Sequence, residues 1–208
     1  MRPLVETVTE RERIKILLGT TGSGKTYKLR EFLDEEDRCL CFDPGGDALL
    51  ESWGVAVTNC RDAVHLATKT PRFRVRMLFN KAEQFNFMCD IAMRLGNVTV
   101  AIDELALFCT SHWMPDNLEK IIRLGRKERT ELGINGRVSF IGTTQRPPDV
   151  HNFILSQAKD WYIFQMHLPQ HVDYLRKFVP GIERALNLKQ GEFIRWTPQK
   201  RNSSLTEP

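Results

Sequence analysis

A chain of 208 residues has room for one sizeable core and hardly for a second, so one functional centre is expected. Its apolar fraction of 41% and charged fraction of 27% suit a globular protein, and no apolar run approaches the roughly 20 residues that span a bilayer. The formal net charge of +4 permits a polyanionic partner without requiring one.

The opening Met1-Arg2-Pro3-Leu4-Val5-Glu6 has no apolar stretch behind a basic cluster. It does not read as a secretory signal, and a cytoplasmic address is expected. After this charged lead-in, Ile14-Lys15-Ile16-Leu17-Leu18 is a short apolar run of strand type. It feeds directly into Gly19-Thr20-Thr21-Gly22-Ser23-Gly24-Lys25-Thr26, which satisfies G-x-x-x-x-G-K-[ST], and a helical pattern follows over 25–33. A strand before and a helix after are the context in which such a loop cradles phosphate. Its glycines let the backbone wrap closely, its N–H groups point inward, and the helix N-terminus adds partial positive charge. Lys25 is placed to reach the β- and γ-phosphates, the hydroxyl of Thr26 to hold Mg²⁺, and Tyr27 to complete the nucleotide-contacting segment. The bland alternative is a chance glycine-rich turn.

Further strands are predicted at 39–42, 55–58, 72–79, 98–102, 138–142 and 161–166. Helices are predicted at 81–94, 116–127, 150–158 and 169–178. Strands alternating with helices imply βαβ units and a mainly parallel sheet covered on both faces, an α/β fold. Asp116 is a candidate helix cap, with Glu119 at capping-box distance. The whole chain reads as one domain, with a core at about 12–196 and a polar tail at 197–208.

Val98-Thr99-Val100-Ala101-Ile102 reads as a buried central strand that ends in Asp103-Glu104. Ligands of open parallel sheets bind at that end of the strands. Asp103 is therefore placed to hold Mg²⁺ and Glu104 to polarise the water that attacks the γ-phosphate; a plain Asp–Glu turn is the alternative. The strand at 138–142 leads into Thr143-Thr144-Gln145-Arg146-Pro147-Pro148. An amide there can bond both to a γ-phosphate oxygen and to the attacking water, or it can cap the next turn.

Together these residues resemble the FtsK/HerA group of additional-strand, catalytic-glutamate P-loop ATPases, a RecA-like fold, and in particular the packaging ATPases of membrane-containing (tectivirus-like) viruses. The resemblance rests on Thr143 to Pro147 as T-T-Q-R-P, on Cys41-Phe42-Asp43-Pro44-Gly45-Gly46, and on Leu188-Lys189-Gln190-Gly191-Glu192-Phe193-Ile194, which leads into a final strand. It implies ATP and Mg²⁺ as cofactors, ATP hydrolysis coupled to movement of double-stranded DNA, and a homo-oligomeric ring, pentameric or hexameric. It also implies action in a host cytoplasm and docking to a virion vertex or a membrane protein. An arginine acting in trans precedes the sensor strand in that group, and Gly125-Arg126 is the matching pair. The segment from Gly125 to the sensor strand is longer than in the family pattern, so Arg129 and Arg137 compete for the role.

Other signals are slighter. Arg72, Arg74 and Arg76 would share one face of a strand, either tracking phosphates or lying on the solvent side of an edge strand. The five cysteines show no C-x-x-C pair and read as buried thiols, and the five histidines show no metal or triad spacing. Asn80-Lys81-Ala82-Glu83 lacks the final aspartate of a guanine-reading box. Two rival functions share the phosphate loop, a small-molecule phosphotransferase and a nucleotide-dependent switch.

Overall fold

The computed structural model describes residues 14–125 and 136–198. In chain order it contains β1 (Ile14–Leu18), α1 (Lys25–Asp34), β2 (Arg38–Phe42), β3 (Val55–Val57), α2 (Cys60–Lys69), β4 (Phe73–Met77), α3 (Ala82–Leu95) and β5 (Val98–Ile102). Then follow α4 (Asp116–Leu124), β6 (Val138–Thr144), α5 (Asn152–Gln157), β7 (Asp160–Phe164), α6 (Pro169–Leu175) and β8 (Phe193–Trp196).

The eight strands form one sheet in the order β3-β4-β2-β5-β6-β1-β7-β8, parallel throughout except where β8 runs antiparallel to β7. A parallel sheet needs helices on both faces, and the strands show this as near-continuous burial rather than alternation. Ile16, Leu40, Val100 and Phe140 point into a large core that includes residues of α2 to α6. Leu17, Cys41, Ala101 and Ile141 point into a smaller one, where Leu29, Phe32 and Leu33 of α1 lie with Leu50 and Trp53. In α3 the buried positions Phe85, Met88, Cys89, Ala92 and Met93 follow the helical period, and Gly96 at φ 60° stops the helix. Phe85 stacks on Phe108 and meets Phe42 edge to face, with both centroid separations 4.6 Å, and so fills the core beneath the ends of β2 and β5.

The register aligns the strand tips. Ile102 of β5 pairs with Gly142 of β6, and Leu18 of β1 pairs with Thr144, so the residues that follow β1, β5 and β6 emerge side by side. β6 lies between β1 and β5 and is the additional strand of the expected architecture.

Several local expectations are corrected. Helix α2 was not foreseen, because its buried positions are the small Ala63 and Ala67. The Asn59 side chain, accepting from Asp62 N at 3.0 Å, was the available signal. Asp116 opens α4 without capping it; Pro115 occupies the cap position, and Glu119 pairs instead with Arg123 at 2.6 Å. α4 ends at Leu124, and residues 126 and 127 of the predicted helix lie outside the described residues. β4, expected as 72–79, is shorter and is not an edge, since β3 lies outside it. The five cysteines are unbridged, and all but Cys60 are buried. Burial pushes the Cys39, Cys41 and Cys89 thiols well up, which makes them poor nucleophiles.

Candidate active site

The phosphate loop begins where β1 ends. Gly19 N donates to the Thr144 carbonyl (3.2 Å), and Thr20 donates to the Gln165 carbonyl through both its N–H (3.0 Å) and its hydroxyl (3.2 Å). The loop is thus pinned between the tips of β6 and β7. At Gly19, with φ 158°, a Cβ would stand 2.7 Å from both Phe164 Cβ and Ser23 Oγ, so only glycine fits. Gly24 caps α1 at φ 109°, and Gly191 N donates to Ser23 O at 3.0 Å. The predicted Leu188-to-Ile194 motif therefore closes its turn onto the phosphate loop, a contact that joins residues far apart in sequence.

Lys25 is buried, and its ammonium donates to the Thr20 carbonyl at 2.8 Å. Burial lowers its pKa, and the charges of Glu104, Asp103 and Asp47 oppose that shift. Thr26 follows in the first turn of α1, half-buried, and Tyr27 is exposed. The Ser23 hydroxyl is buried without a hydrogen-bond partner among the described residues. A desolvated ammonium beside an unsatisfied hydroxyl at a helix N-terminus fits a phosphate group.

The two carboxylates follow β5. Asp103 N donates to the Phe42 carbonyl at 2.8 Å, and the Thr143 hydroxyl donates to Asp103 Oδ1 at 3.0 Å. Burial is the main cause that raises the Asp103 carboxyl from 3.8 to about 6; Asp43 and Asp47 add to it, while Thr143 and Lys25 oppose it. Such a carboxylate is short of positive charge; it and the Thr26 hydroxyl are the groups that would hold Mg²⁺. Bound by these two, the ion would neutralise charge on the β- and γ-phosphate oxygens.

Glu104 adopts φ 71° and ψ 85°, a left-handed backbone that costs a non-glycine residue on the order of 1 kcal/mol. Its N–H donates to the Thr143 hydroxyl (3.0 Å), and its carboxylate accepts from the Thr144 hydroxyl (3.0 Å) and from Gln145 N (3.2 Å). Leu105, which follows, crosses β6 so closely that a Cβ at Gly142 would lie 2.5 Å from it. A side chain at 142 would displace Leu105. Gln145 is exposed and accepts from the Thr21 hydroxyl at 2.7 Å, which joins the sensor position to the phosphate loop.

Two clefts flank this junction. One, of about 470 Å³, is lined by Lys25, Thr26, Tyr27 and Asp47 among others; the other, of about 500 Å³, is lined by Glu104, Gln145 and Arg146 among others. Lys25 and Thr26 thus line one cleft and Glu104 and Gln145 another, while the charges of Glu104 and Asp103 still act on the Lys25 ammonium.

Near the site the arginine row takes other partners than either expected reading gave it, and Asp47 escaped the sequence reading. Arg76 is buried, and its guanidinium pairs with the fully buried Asp43 at 2.6 Å and donates to the Asp47 carbonyl at 3.1 Å. It therefore holds the turn after β2 and is not available to track phosphates. Arg74 is likewise spent on the Asp34 and Glu36 carbonyls, and Arg72 is exposed beside Asp37. Asp47, placed by this turn, acts on both Lys25 and Asp103. Neither the burial of Arg76 nor its partner can be read from alternation along one strand.

Arg126 and Arg129 lie outside the described residues. Gly125 accepts from Val138 N at 2.9 Å, so the chain leaves the described structure at the start of β6, the end of the sheet opposite the acid pair. Arg137, exposed, is at that same end.

A loop of this form after β1, an acid pair after β5 and an inserted β6 between them define an additional-strand P-loop NTPase fold. No protein-family model and no curated protein matches the chain. Among solved structures it is similar to the genome packaging NTPase B204 from Sulfolobus turreted icosahedral virus 2 in complex with AMPPCP, with 18% identity over 90% of this chain and 93% of that one and a TM-score of 0.71. It is similar too to B204, the DNA-packaging ATPase from Sulfolobus turreted icosahedral virus (18%, 91% and 94%, TM-score 0.67). The pCW3 conjugation coupling protein TcpA with ATPγS matches at 16% identity over 90% of this chain and 58% of that one, TM-score 0.58. At such identities the likeness is one of fold.

Proposed function

We propose that this chain hydrolyses MgATP and uses the hydrolysis, as one subunit of a homo-oligomeric ring, to move double-stranded DNA in viral genome packaging. The observation that carries the reading is the junction at Gln145: its side chain bonds to the phosphate loop through Thr21, and its N–H bonds to the base Glu104. A strand tip that touches both ends of the reaction can report whether the γ-phosphate is present. Glu104 orients and deprotonates the water, Lys25 neutralises phosphate charge, and Gln145 ties the two events together. Solved structures of similar fold include the genome packaging NTPase B204 in complex with AMPPCP and with ATPγS, which supports the substrate class.

The trans role falls to Arg126 of a neighbouring subunit on the family resemblance of Gly125-Arg126, with Arg129 and Arg137 as its competitors. Docking at a virion vertex or membrane protein in the host cytoplasm belongs to the same proposal; no helix among the described residues is long and apolar enough to cross a membrane. The test is phosphate release from ATP with and without duplex DNA. Stimulation by DNA in the wild type, lost in Glu104→Gln, is the expected result. Turnover indifferent to DNA would reduce the protein to a generic ATPase, and phosphate transferred to an added nucleoside would make it a kinase.

A further inference from the structure

Two threonines at the tip of β6 face the two carboxylates at the tip of β5. The register pairs Ile102 with Gly142, so Thr143 and Thr144 stand across from Asp103 and Glu104. Both threonines are almost fully buried, an unusual place for hydroxyls without a task. The Thr144 hydroxyl accepts from Arg146 N at 3.1 Å, which directs its own proton away from that backbone and onto Glu104 Oε1 at 3.0 Å. Meanwhile the Thr144 carbonyl accepts from Gly19 N, the first residue of the phosphate loop. One residue therefore touches the loop with its backbone and the base with its side chain.

We propose that Thr144 is the positioning residue for the catalytic base, a role that rests on the hydrolase reading above. A carboxylate presents about four lone-pair sites. Thr144 takes one on Oε1 and Gln145 N takes one on Oε2, so the group is fixed in a single orientation with one site free on each oxygen for the attacking water. Without such a pin, a glutamate on a left-handed backbone would sample several rotamers, and the water would seldom stand in line with the γ-phosphate. The hydroxyl does not touch substrate. It acts through Glu104, and because its backbone also holds Gly19, a shift of the phosphate loop reorients the base.

The test compares Thr144→Val, Thr144→Ser, Glu104→Gln and the Val/Gln double variant in steady-state ATP hydrolysis by the full chain, with kcat and KM read separately. Valine keeps the shape and removes the hydroxyl. Its kcat should fall by about tenfold or more while KM for ATP moves less than about twofold, as for loss of an interaction used in the transition state. Thr144→Ser should recover most of the rate, and adding Thr144→Val to Glu104→Gln should cost little further. A kcat for Thr144→Val within about twofold of wild type, or an equal drop in the Glu104→Gln background, overturns the assignment. Should the valine variant fail to fold, Thr144→Ser against Thr144→Cys gives the same comparison: the strong donor should keep the rate and the weak donor lose it. If the wild type releases no phosphate, the hydrolase reading falls and this one with it; if it turns over and Thr144→Val matches it, only the positioning role falls.

Discussion

At the scale of single residues the site separates binding from chemistry. Lys25→Ala removes the buried ammonium beside the loop and should weaken ATP binding by about tenfold or more, read by titration with a fluorescent analogue. Glu104→Gln should leave that affinity within about threefold and abolish phosphate release, because an amide keeps the shape but takes no proton. Asp103 carries a stability consequence as well. With its carboxyl raised from 3.8 to about 6, the folded chain holds that proton more tightly than the unfolded chain. Its favourable contribution is present below the unfolded value and is lost as pH rises through about 6. Asp103→Asn should therefore be more stable than wild type at about pH 8, by on the order of 1 kcal/mol once solvent screening is allowed for, and the gap should close toward about pH 4. Thermal unfolding at both pH values, without nucleotide or Mg²⁺, measures this. The places of Lys25, Asp103 and Glu104 at the strand ends were legible because the proposed chemistry needs those residue types there. Thr144, Asp47 and Arg76 were not, because their partners lie dozens of residues away.

At the scale of elements, the turn after β2 depends on one buried ion pair. Arg76 of β4 is only 4% exposed and Asp43 not at all. Asp43 Oδ1 also accepts from Asp47 N at 3.0 Å, so the pair organises the whole turn. Arg76→Ala strands a buried carboxylate and should cost about 3–5 kcal/mol, seen as a large fall in Tm; exposed Arg72→Ala, at the other end of the same expected row, should cost less than about 0.5 kcal/mol. A similar loss at both arginines would mean that the row is uniform after all. The strands β1 and β5 occupy the predicted residues to the last position, since each is a largely apolar run, broken only by Lys15 or Thr99, that stops at a polar turn. α2 went unread because alanines bury without announcing a period.

At the scale of the whole molecule, the reading requires a neighbour. Chains carrying Arg126→Ala and chains carrying Glu104→Gln should each be inactive alone. Mixed in one ring, each interface that joins an intact Glu104 to an intact Arg126 should recover hydrolysis, up to about a quarter of the wild-type rate if mixing is random and interfaces act independently. No recovery on mixing would place the arginine in the same subunit as its substrate, or elsewhere. Duplex DNA should stimulate hydrolysis less as salt rises, since phosphate contacts release counterions.

The linear chain carried the order of the strands and of every helix but α2, the phosphate loop and the acid pair, because each of these is written in neighbouring residues whose spacing is the mechanism. Which strands lie side by side, and hence that β6 sits between β1 and β5 and brings two threonine hydroxyls onto two carboxylates, was settled only by the packed sheet. Pairing across a sheet is decided by burial on both faces at once, and that energy belongs to contacts between distant segments rather than to any window of sequence.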